Sequence, residues 1–239
     1  MATQEKTPEN EGKNRQRLSR ERIVAAALKI MDAEGLEAVS MRRVAHELGV
    51  EAMSLYHHVE DKEDILDGIC ELVMSEFRFP EPSDDWEQVA REGARAWRDI
   101  MRSHPSCMRL FAERRKPVTR PEALRPMEFA LGVIRSAGLS ERDTVLAFRA
   151  FGGYIQGSIM TEIRPIVGEA PAGNGHAHAE MAAALAPEEF PYLIEAFPFF
   201  DECDPDEQFE FGLDLMLEGI RSKALATKDA AGADRSDQS

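Results

Sequence analysis

Apolar residues along this chain recur at spacings of three and four, and no sustained run of Val, Ile and Thr alternates at period two. The pattern predicts an all-α protein. A first short helix starts at Ser19, a residue able to accept from its first turn. It carries Ile23, Ala27, Ile30 and Met31 on one stripe and stops at Gly35. Ser40 caps a second helix with Val44, Ala45 and Leu48 on its apolar face, and Gly49 supplies the backbone freedom for a sharp turn. A third segment, 51–58, is about two turns long by the helical repeat. Asp61 then caps a longer helix, with Asp64 at the capping-box position and Ile65, Leu66, Ile69, Leu72, Val73 and Phe77 along one side.

The prolines of "FPEPSDDW" (79–86) break the pattern. Beyond them lie a helix bearing Trp86, Val89, Ala90, Trp97, Ile100 and Met101, one from about Pro121 to Ser136, and one capped by Ser140 that reaches about Ile163. A Gly, Pro and Ala loop (165–175) leads to an Ala-rich stretch. "CDPDEQFEF" then opens a last helix, with Asp204 as cap, Pro205 in the first turn and Glu207 at the box position. Two of these helices are apolar on more than one side. Leu146, Phe148, Phe151, Tyr154, Ile155, Ile159 and Met160 surround one axis, and Phe209, Phe211, Leu213, Leu215, Met216, Leu217 and Ile220 the other. A helix of this kind must be covered on several sides: either it is central to a large core, or it packs on its own core and on a second copy, in which case two per chain form a four-helix interface.

Charge divides the chain further. The net charge of −15 would repel phosphate as a mean field, yet through His58 nine Lys and Arg balance nine Asp and Glu, so the excess acid lies entirely beyond. Five of the ten residues from Lys13 to Arg22 are basic. The expected organisation is a disordered basic arm over 1–18, a three-helix unit over 19–64, a larger helical domain over 65–223 and a disordered tail over 224–239. No apolar run is long enough for a membrane span or a secretory signal, so a cytoplasmic protein without membrane partners is expected. Cys70, Cys107 and Cys203 are too scattered for a disulfide framework or a zinc knuckle. A glycine-framed nucleophile, a HExxH and a phosphate loop are all missing from the sequence, and an enzyme is not expected.

Three short helices joined by tight turns meet the requirements of a helix-turn-helix, in which one helix crosses the phosphate backbone and the next enters the major groove. Ala45 is small where the helices would cross, and Leu48, Val50 and Leu55 hold the reading helix. Its outward positions become Ala52, Met53, Ser54, Tyr56, His57 and His58. None is a carboxylate, and hydroxyl and imidazole groups donate to phosphate. Adjacent histidines point about 100° apart on a helix, which excludes His57 and His58 as a chelating pair. His176 and His178 read as part of a loop, and Arg114, Arg115 and Lys116 as a solvated helix end.

The run from Arg20 to Asp67, with "AHELGV", "LYHHV" and "KEDILD", resembles the DNA-binding domain of TetR-family transcriptional repressors. The later "TRPEALRPMEFAL" resembles the ligand-binding half of the tetracycline-repressor subgroup. The resemblance implies a homodimer on a palindromic double-stranded operator, its half-sites about one helical turn apart, released when a small molecule binds the second domain. It also implies base or phosphate contacts by Arg42, Ser54, Tyr56, His58 and Lys62, with Arg43 beside them. Where the subgroup grips a magnesium-bound drug, this chain departs. The metal-ligating histidine matches Lys116, an acid of the dimer helix matches Thr161, two polar gripping positions match Arg78 and Gly93, and only an aromatic wall is kept, as Trp97. No metal or other cofactor is therefore expected. The effector should be mainly apolar, in a pocket formed by Trp97, Met101, Leu131, Phe148 and Phe151.

Overall fold

A computed structural model of the chain describes residues 17–113, 121–163, 177–200 and 204–236. Among these residues every regular element is a helix. They fall into two compact units that divide between Ile69 and Cys70.

The first unit is built from α1 (Arg20–Glu34), a single 3₁₀ turn (Leu36–Ala38), α2 (Met41–Leu48), α3 (Ala52–Leu55) and the start of α4 (Lys62–Ser75). Local chemistry sets each boundary. The Ser19 hydroxyl accepts from the Arg22 N–H, and the Ser40 hydroxyl from Arg43 N–H, so each helix has one orphan donor satisfied. Gly35 closes α1 at φ 88°, and Gly49 closes α2 in the left-handed region at φ 67°, ψ 36°. Asp61 accepts from the Asp64 N–H at 2.9 Å, while the Asp64 carboxylate reaches back to the Glu60 N–H at 3.1 Å. Ile23, Ala27, Met31, Val44, Leu55 and Ile65 are buried in the core.

Two details differ from the sequence reading. α3 is a single helical turn, Ala52–Leu55, not the expected two: Glu51 provides no capping bond, and the chain tightens at once into i+3 bonding, His58 N–H to Leu55 C=O at 2.8 Å. The unit also ends at Ile69, beyond the expected 64. Arg20 pairs with Asp64 at 2.9 Å, and the missing side chain of Gly68 leaves room for Val24, so the first turns of α4 lie against α1 and belong to this core.

The second unit holds the end of α4 and then α5 (Trp86–Ser103), α6 (Pro105–Glu113), α7 (Pro121–Ser136), α8 (Glu141–Ile163), α9 (Ala177–Ala184), α10 (Pro191–Phe200) and α11 (Pro205–Ser236). Asp85 caps α5 by accepting from Glu87 and Gln88 N–H, Ser140 accepts from the Asp143 N–H, and Asp204 accepts from the Asp206 N–H at 2.7 Å. The helical part of α11 runs past residue 223, where the sequence reading ended it. Residues 224–236 are rich in alanine, and that intrinsic preference continues the helix without a stripe of large apolar residues.

α5, α7 and α8 pack on one another, and α11 lies along α8. Gly212 admits the Tyr154 ring, whose hydroxyl donates to the Phe209 carbonyl at 2.7 Å. A row of arginines on α5 faces the acids of α11 and α8. Arg95 pairs with Glu210 at 2.6 Å, Arg102 with Asp206 at 2.7 Å and Glu162 at 2.8 Å. Arg98, only 5 % exposed, reaches Glu162 Oε1 at 2.7 Å and the Pro205 carbonyl at 2.8 Å, with its guanidinium 4.3 Å from the centre of the Phe209 ring. The row and its partners are spaced by three and four on each helix, so this stack fixes the register of α5 against both.

Candidate functional site

In the first unit, the buried pair Leu55 and Val59 anchors the short α3 and turns its other residues outward. Met53 is 73 % exposed and Tyr56 49 %; His57 and His58 are exposed, and Ala52 and Ser54 are half-buried on the rim. None of these six positions is buried in the core of the unit. Arg42 is exposed on α2, and Lys62 is half-buried at the start of α4.

Arg43 is placed differently. Its guanidinium pairs with Glu34 at 2.6 Å and with Glu47 at 3.0 Å, and Lys29 adds a second cation to Glu47 at 3.1 Å. Hydrogen bonds from Arg43, then from Lys29, hold the Glu47 carboxyl below its ordinary pKa. Arg43 thus serves the internal α1–α2 contact in this structure, while Arg42, its neighbour, faces solvent. Local spacing separates the two only in part: Glu47 lies four residues beyond Arg43 on the same helix, whereas the other partner, Glu34, lies on α1.

In the second unit a cavity of about 440 Å³ lies between α5, α7 and α8. Each helix gives it one stripe. Ala90, Gly93, Ala94 and Trp97 come from α5; Phe148, Phe151, Gly152, Ile155 and Gln156 come from α8; α7 adds the face from Ala123 through Met127 and Ala130 to Ile134. Met74 and Phe77 close one side. Gln156 supplies the one side-chain amide, and apart from it and the Trp97 indole N–H the lining side chains are carbon and thioether. Such a lining selects a ligand by shape and apolar area, with few hydrogen bonds to orient it.

Of the five expected pocket residues, Trp97, Phe148 and Phe151 line this cavity. Met101 does not. It sits one turn beyond Trp97 on the same face and is fully buried among side chains, so it is core and not wall. Leu131 does not either, because it follows Ala130 by one residue and is rotated off the lining stripe of α7. Gly93 lines the cavity, its missing side chain leaving space for Phe129, whereas Arg78 is exposed and outside it. Thr161 spends its hydroxyl on the Ser158 carbonyl at 2.7 Å. Lys116, Arg114, Arg115, His176 and Cys203 lie outside the described residues, as does the side chain of His178. Cys70 and Cys107 are buried thiols.

Sequence reading missed most of the α7 wall and Phe77. A usable signal was present: Ala123, Met127, Ala130 and Ile134 recur at i, i+4, i+7 and i+11. Small and large residues on one stripe are equally what a filled core shows, and only the packing distinguishes a void from a core.

Both multi-sided helices keep an uncovered apolar face within the chain. On α8, Leu146 and Met160 are about half exposed, with Ala150, Gly153 and Gly157 between them; on α11, Phe211 is 65 % and Leu215 60 % exposed. Among the described residues, no group of three or more potential metal ligands converges, and no helix is long and apolar enough to cross a membrane.

The sequence profile described as "Bacterial regulatory proteins, tetR family" matches residues 23–69, and "Tetracyclin repressor-like, C-terminal domain" matches residues 79–224. The chain is 34 % identical over 212 residues to the HTH-type transcriptional repressor DrrR1 of Streptomyces coeruleorubidus, covering 85 % of this chain and 77 % of that protein. It is 27 % identical over 220 residues to the class A tetracycline repressor of transposon 1721 from Escherichia coli, covering 90 % and 96 %. In structure it is similar to Streptomyces coelicolor ActR solved with actinorhodin, at a TM-score of 0.76 and 29 % identity over 87 % of this chain and 99 % of that one. With an exposed helix-turn-helix surface in one unit and an apolar cavity in the other, the chain belongs to the TetR family of DNA-binding transcriptional repressors with a ligand-binding C-terminal domain.

Proposed function

We propose that the chain binds a palindromic operator as a homodimer and leaves it when a small, mainly apolar molecule occupies the cavity of the second unit. The observation that carries this reading is the cavity itself: about 440 Å³ of space walled by aromatic and aliphatic side chains. Streptomyces coelicolor ActR has been solved in complex with actinorhodin and with (S)-DNPA, which supports a small-molecule effector here.

Each step has a residue-level basis. Ser54, Tyr56, His57 and His58, together with Arg42 and Lys62, form the DNA-facing set, with Arg43 steadying α2 through Glu34 and Glu47. Ala52 and Met53 offer carbon surface, suited to thymine methyl groups. The exposed faces of α8 and α11 pair with those of a second copy, so each dimer presents two reading surfaces. α4 supplies Ile65 and Ile69 to the first core and Met74 to the cavity wall, and it is the covalent route by which occupancy is felt at α3. A ligand that prefers the DNA-free form 100-fold contributes about 2.7 kcal/mol toward release.

The test combines selection of DNA from a random pool by the purified protein with a screen of ring-containing compounds for release of the selected duplex. The expected result is an inverted-repeat sequence and release that follows occupancy of the cavity. Selection of no sequence sinks the operator half of the reading. Selection of an operator that no bound compound loosens sinks the effector half and favours a second reading, a DNA-binding regulator with no small-molecule ligand.

A further inference from the structure

A second hollow of about 350 Å³ opens beside the effector cavity, and Phe129 and Val133 line both. Their chemistry differs. The inner chamber is walled by aromatic and aliphatic groups with the lone Gln156 amide. The outer one is shallower and sets the Trp86 indole and the rings of Pro80 and Pro82 against Ser83, Ser136 and the bare backbone of Gly132.

We propose that this outer chamber is a second subsite of the same effector site, taking a neutral, saturated, hydroxyl-bearing ring, in chemical terms a sugar, attached to an aromatic body held in the inner cavity. The inference rests on the effector reading above. Three observations point to it.

The first is continuity. Phe129 stands on the partition with its edge toward Gly93, where an added Cβ would come within 3.2 Å of the ring. It meets Phe77 and Phe79 at 5.9 and 5.4 Å between ring centres, tilted and edge to face. Phe129 and Val133, one turn apart on α7, thus line both hollows, and the two chambers meet along this stretch of the helix.

The second is the polarity of the rim. Ser136 donates its hydroxyl hydrogen to the Val133 carbonyl at 2.7 Å, which leaves its oxygen able to accept. Ser83 accepts from the Asp85 N–H at 3.1 Å, which leaves its hydrogen able to donate. One acceptor and one donor, both uncharged, suit hydroxyl groups, which do both. Neither suits a carboxylate or an ammonium ion, for which the lining offers no counter-charge.

The third is shape. The Trp86 indole and the rings of Pro80 and Pro82 give the hollow carbon surface able to take the C–H face of a saturated ring, whose hydroxyls can reach the two serines. A second aromatic ring would gain the same carbon contact but would make no use of the spare acceptor of Ser136 and the spare donor of Ser83.

The molecule is well arranged for the test. Its two tryptophans divide between the chambers, Trp97 inner and Trp86 outer. Gly132 and Gly152 line the outer and inner chambers respectively, and a Cβ built on either meets nothing within 4 Å, so a leucine at either position can start into its chamber. The probes are three-ring anthraquinones, each paired with its own O-glucoside, titrated into the full-length protein with tryptophan emission as readout. The glucosides are expected to bind at least tenfold more tightly than their parents. Gly132→Leu should abolish that advantage and leave the parent's affinity within twofold of the unmodified protein, while Gly152→Leu should weaken both members of each pair. In a Trp97→Phe protein the remaining emission should be quenched by the glucoside and not by the parent. Glucosides that bind no better than their parents, or a Gly132→Leu protein that retains the advantage, overturn the subsite. Undiminished parent binding by Gly152→Leu, or failure of the unmodified protein to bind any pair, overturns the inner-cavity reading beneath it.

Discussion

The two units of this repressor hold their sites by opposite means. In the first, the candidate DNA surface consists of side chains that point away from a small core, and its geometry follows from neighbours in sequence: a cap at Ser40, a left-handed glycine at 49, and the buried pair Leu55 and Val59 under the exposed Met53 and Tyr56. In the second, the candidate site is a void. Its walls come from residues as far apart as Met74 and Gln156, and it exists because long helices are kept from collapsing onto one another. One site can be erased by trimming a side chain and the other by filling a space. Stability and site are therefore separable in the first unit and entangled in the second.

The largest expected effect tests that entanglement. Arg98→Ala removes the buried guanidinium that ties α5 to Glu162 and to the Pro205 carbonyl and leaves Glu162, 13 % exposed at its side chain, without that partner. Breaking a buried pair from one side costs about 3–5 kcal/mol. The urea midpoint of the second unit should fall accordingly, with loss of ligand binding, because Trp97 is the neighbouring residue on α5. If hydrogen exchange across α5 and α11 is unchanged, the arginine stack does not hold this unit together.

Tyr56→Ala should show the converse. Tyr56 is about half exposed, so its removal should leave the melting temperature within about 1 °C, as for ordinary surface positions, while operator affinity falls by about 1–3 kcal/mol. Lys62→Ala should reduce the slope of log affinity against log salt by about one. A Tyr56→Ala protein that binds as before would show that α3 presents a different face to DNA. Arg43→Gln sharpens the contrast, since a residue engaged by Glu34 and Glu47 should alter the unfolding of the first unit, whereas Arg42→Gln should alter only binding.

The same contrast explains how much was legible in the sequence. Caps, glycine stops and the outward set on α3 are local, and they were read at Ser19, Ser40, Asp61, Ser140 and Asp204 because each signal and its consequence lie within four residues. α10 (Pro191–Phe200) was not anticipated, being a short apolar run without a cap and with Pro198 inside it. Nor was the pairing of the α5 arginines with Asp206, Glu210 and Glu162. The spacing on each helix is plain, but which helix faces which is decided by the whole core. For the cavity, Trp97, Phe148 and Phe151 could be named from character and resemblance, and Met101 could not be told from them, since one further turn along the same stripe decides whether a side chain faces space or neighbours.

A smaller effect is expected from Ser40→Ala. Losing the bond from the Arg43 N–H at 3.2 Å costs about 1 kcal/mol, as for other N-caps. The loss should fall on the first unit alone, lowering its midpoint and weakening operator binding only as far as α2 frays. Equal shifts of both units' midpoints would mean that they unfold together and that the division at Ile69 has no thermodynamic counterpart.

The smallest effect is electrostatic and concerns the acid limb of the stability curve. A hydrogen bond from Arg95 is the main cause holding the Glu210 carboxyl below its ordinary range, with Arg91 adding to it and partial burial opposing. A carboxyl whose pKa is depressed by folding stabilises the folded state once pH exceeds its unfolded value, and that contribution disappears as pH falls through the lower, folded value. The second unit should therefore lose stability on acidification through and below the ordinary carboxylate range, and hold it toward neutrality. Pairs this near the surface contribute below about 1 kcal/mol, so the change in Arg95→Gln should be small at neutral pH and should vanish in acid, where Glu210 is protonated in both proteins. Urea midpoints of the two proteins measured from pH 7 down to pH 3 should converge. Parallel curves would show that Arg95 acts through the packing of its aliphatic stem and not through Glu210, which would bring the arginine row closer in character to the apolar wall on the same helix.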